Sequence, residues 1–288
     1  MKVLVMGGTG QVGSKVAGEL QKRGASVRVF TRDKEAKAVL AGVEVAVGDL
    51  LNPEPVRAAL TGIDKLFLLA GNVADELTQA LIAYGLAKRA GIKHVTYLSV
   101  YKADRFADVP HFASKVAVEN ALREFGVPYT ILRPGYFFQN EISLKPMLLQ
   151  MGVYTMPIGT AGISATDVRD IAEAAAITLT TQGHEGQTYN LVSSLIDGPG
   201  SAALWGKVLN KQIAYPGHDF DAWEKQMSAY FPGWLAYDMR TMFQGYVERG
   251  FASTDADVNR VSKLLGHAPK TYEAFVRETG AEWLSEQH

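Results

Sequence analysis

The stretch "VLVMGGTGQVGSKVAGEL", residues 3–20, decides how the chain begins to fold. Its first four residues are a continuous apolar run that reads as a buried strand, and residues 12–23 carry a helical period. Between them stand Gly7, Gly10 and Gly13, with Gly8 also fitting a Gly-x-Gly-x-x-Gly spacing. In a strand-turn-helix of this kind the first glycine permits the tight turn and the middle one admits a pyrophosphate against bare backbone. The third lets the helix lie close to the sheet, with its N-terminal amides aimed at the anion. Gly7, Thr9, Gly10, Gln11, Val12 and Gly13 are therefore the candidate phosphate-loop contacts. A glycine triplet in an ordinary loop is the competing reading, and the strand before it and the second strand near residue 30 weigh against that.

Working outward, the first half alternates regularly. Apolar runs at 3–6, 27–30, 43–47, 65–70, 94–99 and 129–132 predict strands, and helical stretches lie at 12–23, 56–60, 73–90 and 114–125. Gly24, Gly62, Gly91 and Gly126 each follow a predicted helix end. Strands alternating with helices imply right-handed crossovers and a parallel sheet covered on both faces. The expected fold class is α/β, a Rossmann-type doubly wound parallel sheet with a smaller, mostly helical C-terminal lobe. After Pro134 the rhythm breaks. Residues 165–181 predict a helix capped by Thr166 or Asp167, and "QTYNLVS" (187–193) predicts one more strand. Beyond residue 196 the texture is helical and aromatic, with helices expected at 201–210, 220–230, 236–248, 257–265 and 271–279. The expected division is a sheet domain over 1–135, completed by 166–195, and a lobe over 136–165 and 196–288.

Composition narrows the function class. Twenty-nine basic residues face thirty acidic ones, for a net charge of −1, with no long run of either sign. Nucleic acid and anionic membrane surfaces both need concentrated basic charge, so neither is expected as a partner. There is no cysteine, which excludes disulfides, thiolate metal sites and a cysteine nucleophile. The histidines at 94, 111, 184, 218, 267 and 288 show no paired metal spacing, so no metal is expected. No apolar run approaches the ~20 residues of a membrane helix, and the opening "MKVLVMGG" runs straight into a strand. The expected location is the cytoplasm.

The end of the second strand selects the cofactor. An acidic residue there accepts ribose hydroxyls, whereas an arginine accommodates a 2′-phosphate. "VFTRDKEAK" (29–37) places Arg32 first and Asp33 one residue later, with Lys34 and Lys37 as further charge. The reading is NADPH in preference to NADH. The alternative is a solvated turn in which Asp33 pairs with Arg32. In "VGDLLNPE" (47–54), Asp49 and Leu50 are placed beside the adenine, with Asp49 as a cap of "PEPVRAAL" the competing reading. In "FLLAGN" (67–72), Ala70 and Gly71 are placed toward the adenosine ribose.

Taken with "TRD", "GDL", "PHFASKVAVENAL" (110–122), "VPYTILRPGYFFQN" (127–140), the helix after "ISATD" and the late "LLGHAPKTYEAFVRE" (264–278), the phosphate loop resembles the NmrA-like branch of the atypical short-chain dehydrogenases/reductases. The resemblance spans nearly the whole chain. It implies a cleft between the Rossmann-type domain and the lobe, and two kinds of function. Some members are NADPH-dependent reductases of quinones or of azo and triphenylmethane dyes. Others are dinucleotide-binding redox sensors with little turnover. A small conjugated acceptor is the expected partner, with a second copy or a regulatory protein as further partner classes.

The wider superfamily carries Tyr-x-x-x-Lys on the helix after the fifth strand, where residues four apart share a face. There the lysine holds the nicotinamide ribose and the tyrosine passes the proton. Here Lys115 is retained, Ser99 ends the fifth strand, and His111 stands where the tyrosine would be. His111 as proton donor is the weaker reading, because a neighbouring lysine cation disfavours imidazolium. Its alternative is a helix-start residue. Lys115, Ser99, His111 and Tyr136 make up the candidate catalytic set. Loss of the tyrosine argues against alcohol and ketone chemistry more than against reduction, since a triphenylmethane cation accepts hydride without a proton. Tyr101, Tyr136, Phe137 and Phe138 are the candidate acceptor contacts, with domain packing the alternative for the aromatics. Pro134 and Gly135 are expected to pass backbone near the nicotinamide. Trp205, Tyr230, Trp234, Tyr237 and Phe243 are candidate roof residues that spacing alone does not sort.

Overall fold

A computed structural model describes residues 1–33, 35 and 42–286. Lys34 and Lys37 lie outside the described residues. In chain order the elements are β1 (Lys2–Met6), α1 (Gly13–Lys22), β2 (Ser26–Thr31), β3 (Glu44–Val47), α2 (Pro53–Leu60), β4 (Lys65–Leu68), α3 (Glu76–Arg89), β5 (His94–Leu98), α4 (Pro110–Glu124), β6 (Tyr129–Pro134), β7 (Tyr136–Phe137), β8 (Ile163–Thr166), α5 (Val168–Thr180), β9 (Gln187–Leu191) and β10 (Ser194–Ile196). Five further helices follow: α6 (Gly198–Leu209), α7 (Phe220–Met227), α8 (Gly233–Arg249), α9 (Asp255–Leu265) and α10 (Tyr272–Ser285).

Two compact units share the chain. The first comprises Met1–Arg133 and Val168–Asn190, and the second Pro134–Asp167 and Leu191–His288. In the first, a seven-stranded sheet runs β3-β2-β1-β4-β5-β6-β9. Pairings from β3 through β6 are parallel, with Val5 opposite Val29 on one side and Phe67 on the other. Because strand side chains alternate, Leu4 and Met6 join the core formed with Val56, Ala83, Tyr84 and Val118 of α2, α3 and α4. Val3 and Val5 are equally buried and point to the opposite face, where α1 and α5 pack on each other and on the sheet. A sheet buried on both faces is why the strands read as unbroken apolar runs. The strand order reverses between β1 and β4, which makes that point the topological switch.

The second unit contains a three-stranded sheet, β10-β8-β7, that the sequence reading did not contain. Strands of two to four residues are too short for alternation to show. Its helical core is aromatic: Trp205 stacks on Trp283 at 4.9 Å and Tyr246 on Phe251 at 4.0 Å. Helix α9 opens with a capping box between Thr254 and Asp257.

Candidate functional site

The loops after β1, β2, β3 and β4 carry the predicted residues Gly7–Gly13, Arg32, Asp49–Leu50 and Ala70–Gly71, all at the C-terminal edge of the parallel sheet of the first unit. After β1, Gly7 takes φ +66°, a backbone conformation that disfavours side chains, and its carbonyl accepts from Gly10 N at 2.9 Å. A Cβ on Gly13 would lie 2.2 Å from that same carbonyl oxygen, and one on Gly8 would lie 2.4 Å from Val29 Cβ. Close packing therefore requires both glycines. A Cβ on Gly10, in contrast, would meet only the Gly7 oxygen, at 3.3 Å, leaving the loop open there. Helix α1 begins at Gly13 with no side-chain cap and no acidic residue in its first turn. Ser14 N donates to the Gly10 carbonyl at 3.1 Å, while the other first-turn amides and the helix dipole can meet an anion. Thr9 and Gln11 are exposed and Val12 is buried. Thr9 Oγ1 lies 3.0 Å from Thr31 Oγ1, tying the loop to the end of β2. The cradle fits a dinucleotide pyrophosphate.

Beyond β2, Arg32 is exposed and has no ion pair among the described residues. Asp33 accepts from Glu35 N at 2.8 Å, closing a turn on itself, and no Arg32–Asp33 pair forms among the described residues. Asp49 also serves a local turn, accepting from Leu51 N at 2.9 Å. Its reading as the cap of residues 53–60 is corrected. The cap is Asn52, whose Oδ1 accepts from Glu54 N at 3.3 Å. Leu50 is half-buried against the core, Ala70 is buried and Gly71 is exposed after β4.

The end of β5 carries the densest electrostatics. Lys115 is buried on α4 and forms an ion pair with Glu76, the buried first residue of α3. The Lys115 ammonium also lies 5.6 Å from the centre of the Tyr97 ring. Burial, with Glu76 and Glu119 nearby, pushes the Tyr97 phenol well above its ordinary range. Ser99, 3% exposed, donates from Oγ to Glu119 Oε1 at 2.5 Å. Glu119 further accepts from Arg133 Nε and Nη2 at 2.8 and 2.6 Å and from Arg123 Nη2 at 2.7 Å. Burial alone would raise this carboxyl, but the hydrogen bonds from Arg133 and Ser99 outweigh it and hold Glu119 below the usual carboxylate range.

Sequence reading did not find Glu76, Glu119 or Arg133. A signal existed for Arg133, since a charge inside the apolar strand "YTILRP" demands a buried partner. His111 is the second residue of α4, half-buried, with its ring edge-on to Phe112 at 4.7 Å. Tyr101 is buried, with the Lys102 ammonium 5.4 Å from its ring centre.

Candidates from residue 134 onward belong to the second unit and separate there. Pro134 is buried. A Cβ on Gly135 would lie 2.4 Å from the Ser164 carbonyl oxygen, so the missing side chain lets the chain pack closely on β8. Tyr136 is buried, with its phenol raised first by desolvation and then by Glu141 and Tyr246. Phe137 is half-buried. Phe138 falls to the packing alternative: it is fully buried against Tyr272 and Phe275, at 5.4 and 5.7 Å. Trp205 and Phe243 are likewise core, whereas Tyr230, Trp234 and Tyr237 are exposed at 75%, 38% and 52%. Glu141 is buried and accepts from Tyr154 Oη, Tyr272 Oη and Trp205 Nε1. Burial raises its carboxyl to about 7 against these three donors. Among the described residues no group of three or more histidines or carboxylates is gathered to hold a metal, and no helix is long and apolar enough to cross a membrane.

Residues 1–276 match the NmrA-like family. The chain belongs to the NmrA-like family. Its relatives include an NAD(P)H azoreductase of Xenophilus azovorans, 29% identical over 97% of this chain and 98% of that protein. A (4-alkanoyl-5-oxo-2,5-dihydrofuran-3-yl)methyl phosphate reductase of Streptomyces griseus is 32% identical over 80% of this NmrA-like chain and 82% of its own. Among solved structures, an NADPH-dependent quinone oxidoreductase of Escherichia coli complexed with NADPH superimposes with a TM-score of 0.87. It is 28% identical over 97% of this chain and 99% of that one.

Proposed function

We propose that this NmrA-like protein is an NADPH-dependent reductase that passes hydride to a flat conjugated acceptor such as a quinone or a dye. The observation that carries the proposal is the buried Lys115–Glu76 pair at the same sheet edge as the glycine cradle. It holds an ammonium fixed where a dinucleotide's nicotinamide ribose would come, with histidine in place of the superfamily's tyrosine. The relatives support the reading, since the similar proteins named above are reductases.

Bound cofactor would supply the hydride, and the protein's own residues do the rest. The open face at Gly10 and the first amides of α1 receive the pyrophosphate. Arg32 takes the 2′-phosphate in a bidentate contact. The Lys115 ammonium, held in its ion pair with Glu76, offers N–H donors to the ribose hydroxyls. The proposal includes a cytoplasmic location, with a second copy or a regulatory protein as the larger partner.

Steady-state oxidation of NADPH against a panel of quinones, azo dyes and triphenylmethane dyes tests the activity. Tight NADPH binding without turnover of any acceptor would replace this reading with a dinucleotide-binding regulator. Titration with both cofactors tests the preference: NADPH binds more tightly, and Arg32→Ala narrows the difference by roughly 10-fold or more, the worth of a charge-assisted bond. Equal affinities in the unaltered protein would remove the NADPH preference.

A further inference from the structure

Ser99 has one hydroxyl proton, and that proton is committed. It goes to Glu119 Oε1 at 2.5 Å. Glu119 is fully buried and accepts three further N–H donors from Arg133 and Arg123. A carboxylate held between two guanidinium groups is anionic and can only accept, so it has no proton to return. No other hydrogen bond to the Ser99 hydroxyl is made among the described residues, and what its oxygen can still offer is lone pairs.

We infer that Ser99 meets the ligand of this site as a hydrogen-bond acceptor, with Glu119 as the positioning residue that fixes this polarity. The group Ser99 takes is an N–H or O–H donor and not a carbonyl oxygen. The inference rests on the reading of this sheet edge as the cofactor and acceptor site, and it deepens that reading by naming the acceptor class. A serine with a free proton would serve a carbonyl oxygen. This one sets lone pair against lone pair, so a bare quinone carbonyl is disfavoured there. Conjugated acceptors carrying amino or hydroxyl substituents are preferred. The same donor chemistry is available from the carboxamide of a nicotinamide, and the two sources separate experimentally.

Equilibrium binding to the full chain tests this without turnover. Naphthoquinone and its amino- and hydroxyl-substituted forms are titrated in the presence of NADP+, and NADP+ is titrated beside its acetylpyridine analogue, which lacks the carboxamide N–H. If the acceptor is the donor, Ser99→Ala weakens the substituted ligands by about 3- to 10-fold, the worth of one neutral hydrogen bond, and leaves plain naphthoquinone unchanged. If the carboxamide is the donor, the same loss falls on NADP+ and spares the analogue. Weaker binding of plain naphthoquinone to Ser99→Ala, or no change in any of these affinities, overturns the inference. Glu119→Gln is the second variant. Its amide N–H can donate to Ser99 Oγ and release the serine proton, so the preference shifts toward the bare carbonyl ligand. An unshifted preference in a folded Glu119→Gln protein also overturns the inference, and if that variant does not fold, Ser99→Ala decides alone. Absence of turnover with every acceptor would sink the reductase reading, whereas these affinities are read independently of it.

Discussion

Gly10 and Gly13 lie within one short loop, yet they tolerate a methyl group differently. On Gly13 the added carbon falls 2.2 Å from the Gly7 oxygen and the loop must deform; on Gly10 it meets only that oxygen, at 3.3 Å, a contact that a few tenths of an ångström of movement relieves. Gly13→Ala is therefore expected to lower the melting temperature and abolish NADPH binding together. Gly10→Ala should melt near the unaltered protein while binding NADPH at least about 10-fold more weakly, because its methyl occupies the space of a pyrophosphate. Circular dichroism melts paired with cofactor titration check the contrast, and parallel losses in both variants would refute it. Glu76 provides a second test at this scale. Glu76→Gln removes the charge that anchors the Lys115 ammonium, and is expected to weaken NADPH by roughly 10-fold, as for the loss of one partner of a buried ion pair. Glu76→Asp should recover part of that affinity. Unchanged affinity in Glu76→Gln would assign the pair to folding alone.

At the scale of elements, the first half of the chain was legible because the central strands β1, β4 and β5 are buried on both faces and a glycine follows each of the helices α1 to α4. The predicted strand at 94–99 is β5, and the predicted helix at 12–23 is α1, shorter by a residue at each end. What was not legible depends on partners far away in sequence. Helix α4 starts four residues earlier than its apolar period suggests, because Pro110 opens it, where a missing N–H costs nothing. The cradle was readable from glycine spacing, whereas the Glu119 cluster was not, since Ser99, Arg123 and Arg133 are joined by the fold and not by a local pattern. The small sheet of the second unit follows the same rule. Gly135→Ala tests its packing: a Cβ 2.4 Å from the Ser164 oxygen must separate β7 from β8, at an expected cost of about 2 kcal/mol or more. Chemical denaturation measures that cost, and a neutral result would mean that the strands yield easily.

At the scale of the whole molecule, the two units carry opposite proton linkages. In the first, His94 is buried at the start of β5, and its Nε2 lies 3.0 Å from Thr130 Oγ1. Thr130 donates to the His184 carbonyl, so the histidine is the donor between them. Burial, reinforced by Lys65, depresses the imidazole from 6.5 to about 4. A depressed folded value means that its stabilisation is complete above pH 6.5 and is lost as pH falls toward 4. Glu141 in the second unit is raised from 4.5 to about 7, so its contribution is complete below 4.5 and is lost as pH rises through 7. Each has a limiting slope of about 1.4 kcal/mol per pH unit. Between pH 4.5 and 6.5 the two slopes oppose and flatten the melting profile. His94→Gln should leave a melting temperature that falls with rising pH, and Glu141→Gln one that rises. Profiles parallel to that of the unaltered protein would remove these two groups as its source.

The interleaved division of the chain also bears on the order of events during synthesis. Strand β9 and helix α5, which complete the first unit, are made only after the 34 residues Pro134–Asp167 have been committed to the second. A nascent chain emerging from the ribosome can pair β1 through β6 early. It must then hold one edge of β6 and the face that α5 covers exposed until residue 190 is out. Stalling within that window would present an unpaired strand edge, the surface on which chains aggregate.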